Sequence, residues 1–410
     1  MTANLTKRTK KLQRFIKSHW PAFLARHFCR IPDYVVKVMD KVLACRTEAL
    51  GVHVYKCPNC GFTRLLKHSC KSRFCSSCGT AYTDKWSYKV KYWLSFINAS
   101  YYFVTFTTPK KLELIVKVNK RFGYSLLFKA ASQTILSFYK EKRVKAGIIS
   151  VLHTFGRTLN FHPHIHLLCT FGGLLFNKSA WSEVVLPANV LQQRFKYYFL
   201  AGLREHYRQG KLQMPEGLAF KDYSEFNAFL DSQYKKHWQI NRSGPMDAVR
   251  AALGYITRYL GKPPMSENRF LFGNSLKVCF TYKDYLNKAI ERKYFCSTAE
   301  FFFRFLEHVP LPNFPMVRFY GLFSTRSKKK LMEAAAKFIP PPEGVALLRC
   351  EPPKTCREHR LATTGVDLSK CPKCGEEMEE AKVYYPGSLH VSFAELLRQW
   401  EHGFILPDSS

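Results

Sequence analysis

Phe161-His162-Pro163-His164-Ile165-His166-Leu167-Leu168 places three histidines at alternate positions in an apolar run. Strand side chains alternate between faces, so His164 and His166 present two imidazoles on one side while Ile165 turns into a core. Two nitrogens on one rigid strand make half a metal site. A third ligand from elsewhere leaves coordination positions open for a substrate oxygen. His153 can supply it across a strand pair formed by Ile148 to Phe155 and Leu159 to Thr170, and His162 shares the face if the strand stays regular past Pro163. A half-buried strand of hydrogen-bonded histidines is the alternative, and three on one face argue against it.

The charge balance indicates the substrate class. Lys and Arg number 64 against 30 Asp and Glu, a formal net charge of +34, far more than solubility requires, so a polyanion is the expected partner. No acid precedes Asp33, and Ala49 to Thr83 holds Lys56, Arg64, Lys67, Lys71 and Arg73 with no acid at all. A further basic run is Arg326, Lys328, Lys329 and Lys330. Aromatic residues interleave with basic ones at Arg194-Phe195-Lys196-Tyr197-Tyr198 and around Trp86, Tyr88 and Tyr92, a pattern that suits single strands with unpaired bases to stack.

At 410 residues and 46% hydrophobic, the chain has material for two or three domains. It has no 18-residue apolar run and no signal-peptide core at its N-terminus, so the expectation is a soluble, cytoplasmic protein with no membrane partner. Its 14 cysteines cluster in Cys-x-x-Cys pairs, which in a reducing compartment points to zinc rather than disulfides. Cys57-Pro58-Asn59-Cys60-Gly61 and Cys75-Ser76-Ser77-Cys78-Gly79 read as two knuckles around one structural zinc, with Cys70 and His68 either packing or surface residues beside it or a ligand in place of one of the four. Cys350, Cys356, Cys371 and Cys374 form a second group near the C-terminus with the makings of another zinc module.

The hydrophobic pattern predicts an α+β fold, an antiparallel sheet flanked by helices. Short basic helices broken at Pro21 and Pro32 precede the cysteines, and Tyr101 to Thr107 is a central strand closed by Pro109. A helix over 123–142 buries Leu126, Leu127, Ala130, Ile135 and Phe138. Further helices fall near 190–209 and 221–238, and strands at 269–272 and 277–282. Four segments follow: 1–98, basic, helical and zinc-binding; 99–285, catalytic; 286–345, a helical basic extension; and 346–410, a small cysteine module and tail.

The helix from Met246 to Leu260, stopped by Gly261 and Pro263-Pro264, carries Tyr255 and Tyr259. Four apart, they lie on one face one turn apart, about 110° from the stripe of Val249, Leu253, Ile256 and Leu260. Such a pair more often packs a helix against its neighbour. Beside a histidine strand and a large basic excess it fits a tyrosine nucleophile, a divalent metal and a polyanion in one mechanism.

His164-Ile165-His166 with the Tyr255/Tyr259 pair resembles the two-tyrosine branch of the HUH endonucleases. His153 to Arg157 running into Asn160 to His166, the helix end from Tyr255 to Pro264, the tract Phe301 to Phe323 and the N-terminal cysteines together resemble transposases of the insertion-sequence-91 family over about residues 25 to 380. The resemblance implies an HUH-type sheet and rolling-circle transposition, in which Tyr255 and Tyr259 are catalytic and form 5′-phosphotyrosine links with single-stranded transposon ends and target DNA. His164, His166 and a third ligand, His153 for preference, would hold Mg²⁺ or Mn²⁺. Zinc would be structural, and a homo-oligomer is left open. The competing readings are a plasmid replication initiator or relaxase of the same chemistry, a histidine-triad nucleotide hydrolase, and a zinc-ribbon DNA-binding protein without catalysis.

Overall fold

Tyr101 to Thr107 is apolar on both faces, as a strand covered from both sides must be. The computed structural model describes residues 11–245, 254–256, 263–284, 287, 289–324, 328–341 and 353–385, without the side chains of 356, 360, 363 and 364. In chain order the N-terminal part comprises α1 (Lys11–His27), α2 (Asp33–Leu43), β1 (Val52–Lys56), β2 (Thr63–Lys67) and α3 (Ser76–Leu94). Next come β3 (Tyr101–Thr107), α4 (Lys110–Val118), α5 (Lys120–Glu141), β4 (Val144–Lys145), β5 (Gly147–Phe155) and β6 (Phe161–Thr170). After these lie β7 (Gly173–Leu175), β8 (Trp181–Ser182), α6 (Ala188–Arg208), α7 (Tyr223–Lys235) and β9 (Ile240–Arg242). The later strands are β10 (Phe270–Gly273), β11 (Lys277–Asp284), β12 (Ile290–Ser297), β13 (Val317–Gly321) and β14 (Glu379–Tyr384), with helices Thr298–Leu306, Lys328–Ala336 and Cys356–Thr364 among them.

The central sheet runs β13-β5-β6-β3-β9, with every pairing antiparallel. Strand alternation sorts its side chains cleanly. Tyr102, Val104, Phe106, Ile148, Leu152, Ile165, Leu167 and Cys169 face the largest core, where α5 and α6 contribute Leu127, Ile135, Phe195 and Phe199. The opposite face carries Tyr101, Phe103, Ile149, Val151 and Leu168 under Val90, Leu94 and Ile256. This second face is the one that also bears the histidines, because His164 and His166 share the parity of Leu168.

Two elements differ from the pattern expected of the sequence. Pro21 lies inside α1 instead of breaking it. Its missing N–H forfeits one helical bond, but Leu12, Phe15, Ile16, Trp20 and Phe23 form a buried stripe that continues past the exposed proline, and that burial offsets the loss. The tract expected to be a helical extension supplies β13, an edge strand of the central sheet, and β14 near the C-terminus pairs with β1. Segments that are sequential along the chain are therefore interleaved in space. The stretch Arg194 to Tyr198 also divides: Phe195 and Lys196 turn inward, Lys196 Nζ donating to the carbonyls of Tyr234 and Lys236, while Tyr197 is exposed.

The hairpin joining β5 to β6 is tight and braced from outside. Gly156 N donates to Asn160 O at 2.9 Å, and fully buried Leu159 sits at a φ of 60°, a conformation that costs a non-glycine residue about 1–3 kcal/mol. Buried His308 holds it in place. Its Nε2 lies 3.0 Å from Leu159 O, which can only accept, so Nε2 donates and Nδ1 accepts from Thr154 Oγ1 at 3.1 Å. His308→Ala strands a buried carbonyl and a buried hydroxyl next to His153. We expect it to lower stability by about 1–3 kcal/mol, measured by chemical denaturation of the full chain.

Candidate active site and thiol clusters

His153 lies directly across from His164 in the β5–β6 register, and Thr105 of β3 lies across from His166. Cross-strand neighbours on one face are the closest side-chain pairs a sheet offers, so the register brings three imidazoles together. One ring nitrogen of each of His153, His164 and His166 lies within 4.8 Å of the others. The Nε2 atoms of His164 and His166 are 3.0 Å apart. His162 is drawn away from the trio: its Nδ1 is 2.6 Å from Oε1 of Glu113, a buried carboxylate on α4 that also takes Lys110 Nζ at 3.0 Å.

The tautomers follow from fixed acceptors. His164 Nδ1 is 2.7 Å from the His162 carbonyl, so Nδ1 carries the proton and Nε2 offers its lone pair to the centre of the cluster. Burial and the neighbouring histidines depress both basicities: His164 is pushed down to about 3 and His166 falls well below the ordinary imidazole value. Both rings are thus neutral at physiological pH, the form in which imidazole binds a metal. A set of three such nitrogens fits a divalent transition ion such as Mn²⁺ better than Mg²⁺, which prefers oxygen.

Tyr255 reaches the same point. Its hydroxyl is 3.3 Å from His166 Nδ1 and 3.4 Å from Thr105 Oγ1, and Thr105 Oγ1 is itself 3.2 Å from His166 Nδ1. The Tyr255 ring rests on Phe103 with centroids 4.1 Å apart, and neighbouring Ile256 is buried. Tyr259 lies outside the described residues. A cavity adjoining His153 is lined by Arg73, Phe155, Pro264, His308 and Met316 among others. Arg73 comes from the cysteine-rich loop between Cys70 and Cys75, its guanidinium 4.8 Å above the Tyr82 ring.

The cysteines group differently from their order in sequence. Cys57, Cys60, Cys75 and Cys78 do not share one site. Cys75 and Cys78 join Cys45 and Cys70, with sulfurs 3.5 Å apart for Cys45–Cys78, 3.6 Å for Cys70–Cys78 and 3.8 Å for Cys45–Cys75. Cys57 and Cys60 join Cys371 and Cys374. Cys371 and Cys374 thus find two partners far back in the chain; Cys350 and the side chain of Cys356, expected to join them, lie outside the described residues. Spacing failed because β1 and β2 form a hairpin that carries the first knuckle away from the second, while α2 brings Cys45 back to it. Spacings near 3.7 Å are what four thiolates on a tetrahedral zinc require. His68, by contrast, bonds the Leu50 carbonyl at 2.8 Å.

Comparison with known proteins identifies the family. A family model described as "Transposase zinc-binding domain" matches residues 15–108, which hold the first thiol cluster, and one described as "Putative transposase" matches residues 147–330, which hold the three histidines and Tyr255. The chain is 30% identical to "Putative transposase y4qJ" of Sinorhizobium fredii over 82% of its own length and 86% of that protein. The chain belongs to the insertion-sequence-91 family of transposases. It is also 30% identical to "Transposase for insertion sequence element IS801" of Pseudomonas savastanoi pv. phaseolicola, over 84% of this chain and 83% of the relative. No solved structure matches. Among the described residues, no helix is long and apolar enough to cross a membrane.

Thr105, Glu113, Cys45 and His308 had no motif to announce them. Each is a lone residue placed by the register or by a neighbouring helix. The depressed basicity of His164 has a measurable consequence. The unfolded chain takes up a proton below about pH 6.5 and the folded one does not, so this contribution to stability is complete above pH 6.5 and is lost as pH falls towards 3. In chelator, His164→Gln is expected to flatten the decline in unfolding free energy between pH 7 and pH 5, as measured by urea titration.

Proposed function

We propose that this transposase cleaves and rejoins single-stranded DNA at transposon ends by a rolling-circle route, through 5′-phosphotyrosine intermediates on Tyr255 and Tyr259. The observation that carries the reading is the 3.3 Å contact between the Tyr255 hydroxyl and His166 Nδ1, on the face where the imidazoles of His153, His164 and His166 converge. His153, His164 and His166 would hold a divalent ion, which would supply a Lewis acid for the scissile phosphate. With such an ion on Nε2 of His166, its Nδ1 would bear the proton and donate to an oxygen, Tyr255 Oη or Thr105 Oγ1. Tyrosine's reference pKa of about 10 makes it a weak nucleophile, and such a donor stabilises the phenolate.

In the reaction, Tyr255 Oη loses its proton and bonds to phosphorus. The P–O3′ bond breaks, the electron pair leaves with O3′, and O3′ takes up a proton to become a free hydroxyl. Attack by that hydroxyl, or by another strand's, on the phosphotyrosine reverses the step and rejoins DNA without loss of bond energy. Tyr259 would serve the second strand. Arg73 at the cavity beside His153 offers a cation for the DNA backbone. Trp86 stacked on Phe319 at 5.5 Å, with Lys328 over both Trp93 and Phe319, offers a platform for unpaired bases. Action on DNA fits the basic excess, and for a transposase its expected place is the cytoplasm.

The same chemistry would serve a replication initiator or relaxase, and family membership favours transposition. A nucleotide hydrolase with a histidine nucleophile is disfavoured by His164 and His166, whose ring nitrogens face each other within the sheet.

Tyr255→Phe with Tyr259→Phe keeps the rings and the charge. We expect DNA binding to persist by gel shift while the covalent adduct with labelled single-stranded DNA and Mn²⁺ disappears on a denaturing gel. An adduct surviving in the double variant would refute the tyrosine assignment. His164→Ala with His166→Ala is expected to abolish cleavage in the same assay with affinity largely intact, since phosphate contacts from Lys and Arg supply most of it.

A further inference from the structure

We propose that Cys57, Cys60, Cys371 and Cys374 bind a zinc ion of their own, and that this ion clasps residues 353–385 onto the N-terminal module. The transposase zinc-binding domain match ends at residue 108, so half of the ligand set lies far outside it.

The two halves are copies of one turn. Cys57-Pro58-Asn59-Cys60-Gly61 and Cys371-Pro372-Lys373-Cys374-Gly375 share the same pattern. In the first, Gly61 N donates to Cys57 O at 3.1 Å and Cys57 N to Phe62 O at 2.9 Å. In the second, Gly375 N donates to Cys371 O at 2.9 Å and Cys371 N to Glu376 O at 2.8 Å. Both glycines take a positive φ, 68° and 78°, which lets the chain reverse beneath the second sulfur. Facing each other, the turns bring Cys57 and Cys374 sulfurs to 3.4 Å, Cys60 and Cys371 to 3.5 Å, and Cys60 and Cys374 to 3.6 Å. No disulfide joins them. Four unbonded sulfurs at tetrahedral spacing, with no His, Asp or Glu grouped with them among the described residues, form a set that suits zinc.

The ion also solves a stability problem. Among the described residues, the apolar contacts around it are Cys57, Cys371 and Met378 with Tyr55 and Phe62 beside them. So small a core cannot offset the entropy of ordering a segment of more than 30 residues. The β1–β14 ladder, from Val52 opposite Tyr384 to Lys56 opposite Glu379, begins where the ligands lie, and Tyr88 Oη adds a bond to the Ala362 carbonyl. Metal affinity here is folding free energy for the strand. The two sets also differ in access: Cys45, Cys75 and Cys78 are buried, whereas Cys60 and Cys374 are exposed, so the clasp is the first to surrender its ion to a chelator.

Metal analysis of the full-length protein tests this. The expected result is two zinc ions per chain, falling to one in Cys371→Ser/Cys374→Ser and equally in Cys57→Ser/Cys60→Ser, with Cys350→Ser/Cys356→Ser keeping two. Replacement with Co²⁺ should give thiolate charge-transfer bands whose intensity halves in the first two variants. Trypsin should release the C-terminal segment from Cys371→Ser/Cys374→Ser and from briefly chelated wild type, and leave zinc-loaded wild type intact. Should Cys57→Ser/Cys60→Ser fail to fold, the Cys371→Ser/Cys374→Ser protein decides alone, its ligands lying outside the N-terminal core. One zinc in wild type, two in Cys371→Ser/Cys374→Ser, or loss of zinc on replacing Cys350 and Cys356 would overturn the proposal. These readouts are independent of DNA cleavage, so failure here leaves the tyrosine chemistry untouched.

Discussion

The antiparallel register of β5 against β6 is the constraint on which the candidate active site depends. With His153 opposite His164, and Thr105 of β3 opposite His166, three imidazoles and a hydroxyl converge on one face. Slipping either pairing by one residue would send a histidine to the α5 side and an aliphatic residue into the site. That alternative is closed by burial, since Ile165 and Leu167 already fill the core on the α5 side. The hydrophobic pattern thus sets the geometry of the polar site, and the hairpin braced by His308 locks the strand ends that carry His153 and His164.

The two neutral imidazoles of His164 and His166 inside a chain of net charge +34 are a local exception to the whole. Desolvation makes the charged forms unfavourable, and each ring disfavours protonation of the next. The basic excess suits a polyanion, while burial keeps the ring nitrogens of His164 and His166 unprotonated. The two requirements coexist because low-dielectric burial acts over a few ångströms, whereas the attraction of the basic surface extends over a screening length of about 8–10 Å in physiological salt.

The thiol clusters do the corresponding work for the N-terminal module. One set anchors Cys45 after α2 to the start of α3 and shares a core with α1 and the helix Thr298–Leu306. Arg73, on the loop between two of its members, thereby reaches the cavity beside His153. The other set gathers ends of the chain more than 300 residues apart. The thiol clusters and the central sheet are consequently neighbours in space, although they read as separate stretches of sequence.

Local signals carried much of this. Alternation in residues 161–168 specified the strand and the face of His164 and His166, the apolar run from Tyr101 to Thr107 specified an inner strand, and helical periodicity specified the buried stripe of α5. These are short-range facts, since backbone geometry alone converts spacing into direction. The sequence also contained both Cys-Pro-x-Cys-Gly turns, complete with their glycines. Which turn faces which was not legible, and Cys57 and Cys60 read as companions of Cys75 and Cys78, because nearness in sequence was the only guide to nearness in space. Glu113, Thr105 and Cys45 were silent for the same reason: a lone residue acquires a role only when another element arrives opposite it. Sequence by itself determined which residues point together along one element; the tertiary structure decided which elements meet, because strand register and chain reversal are set by burial summed over the whole fold.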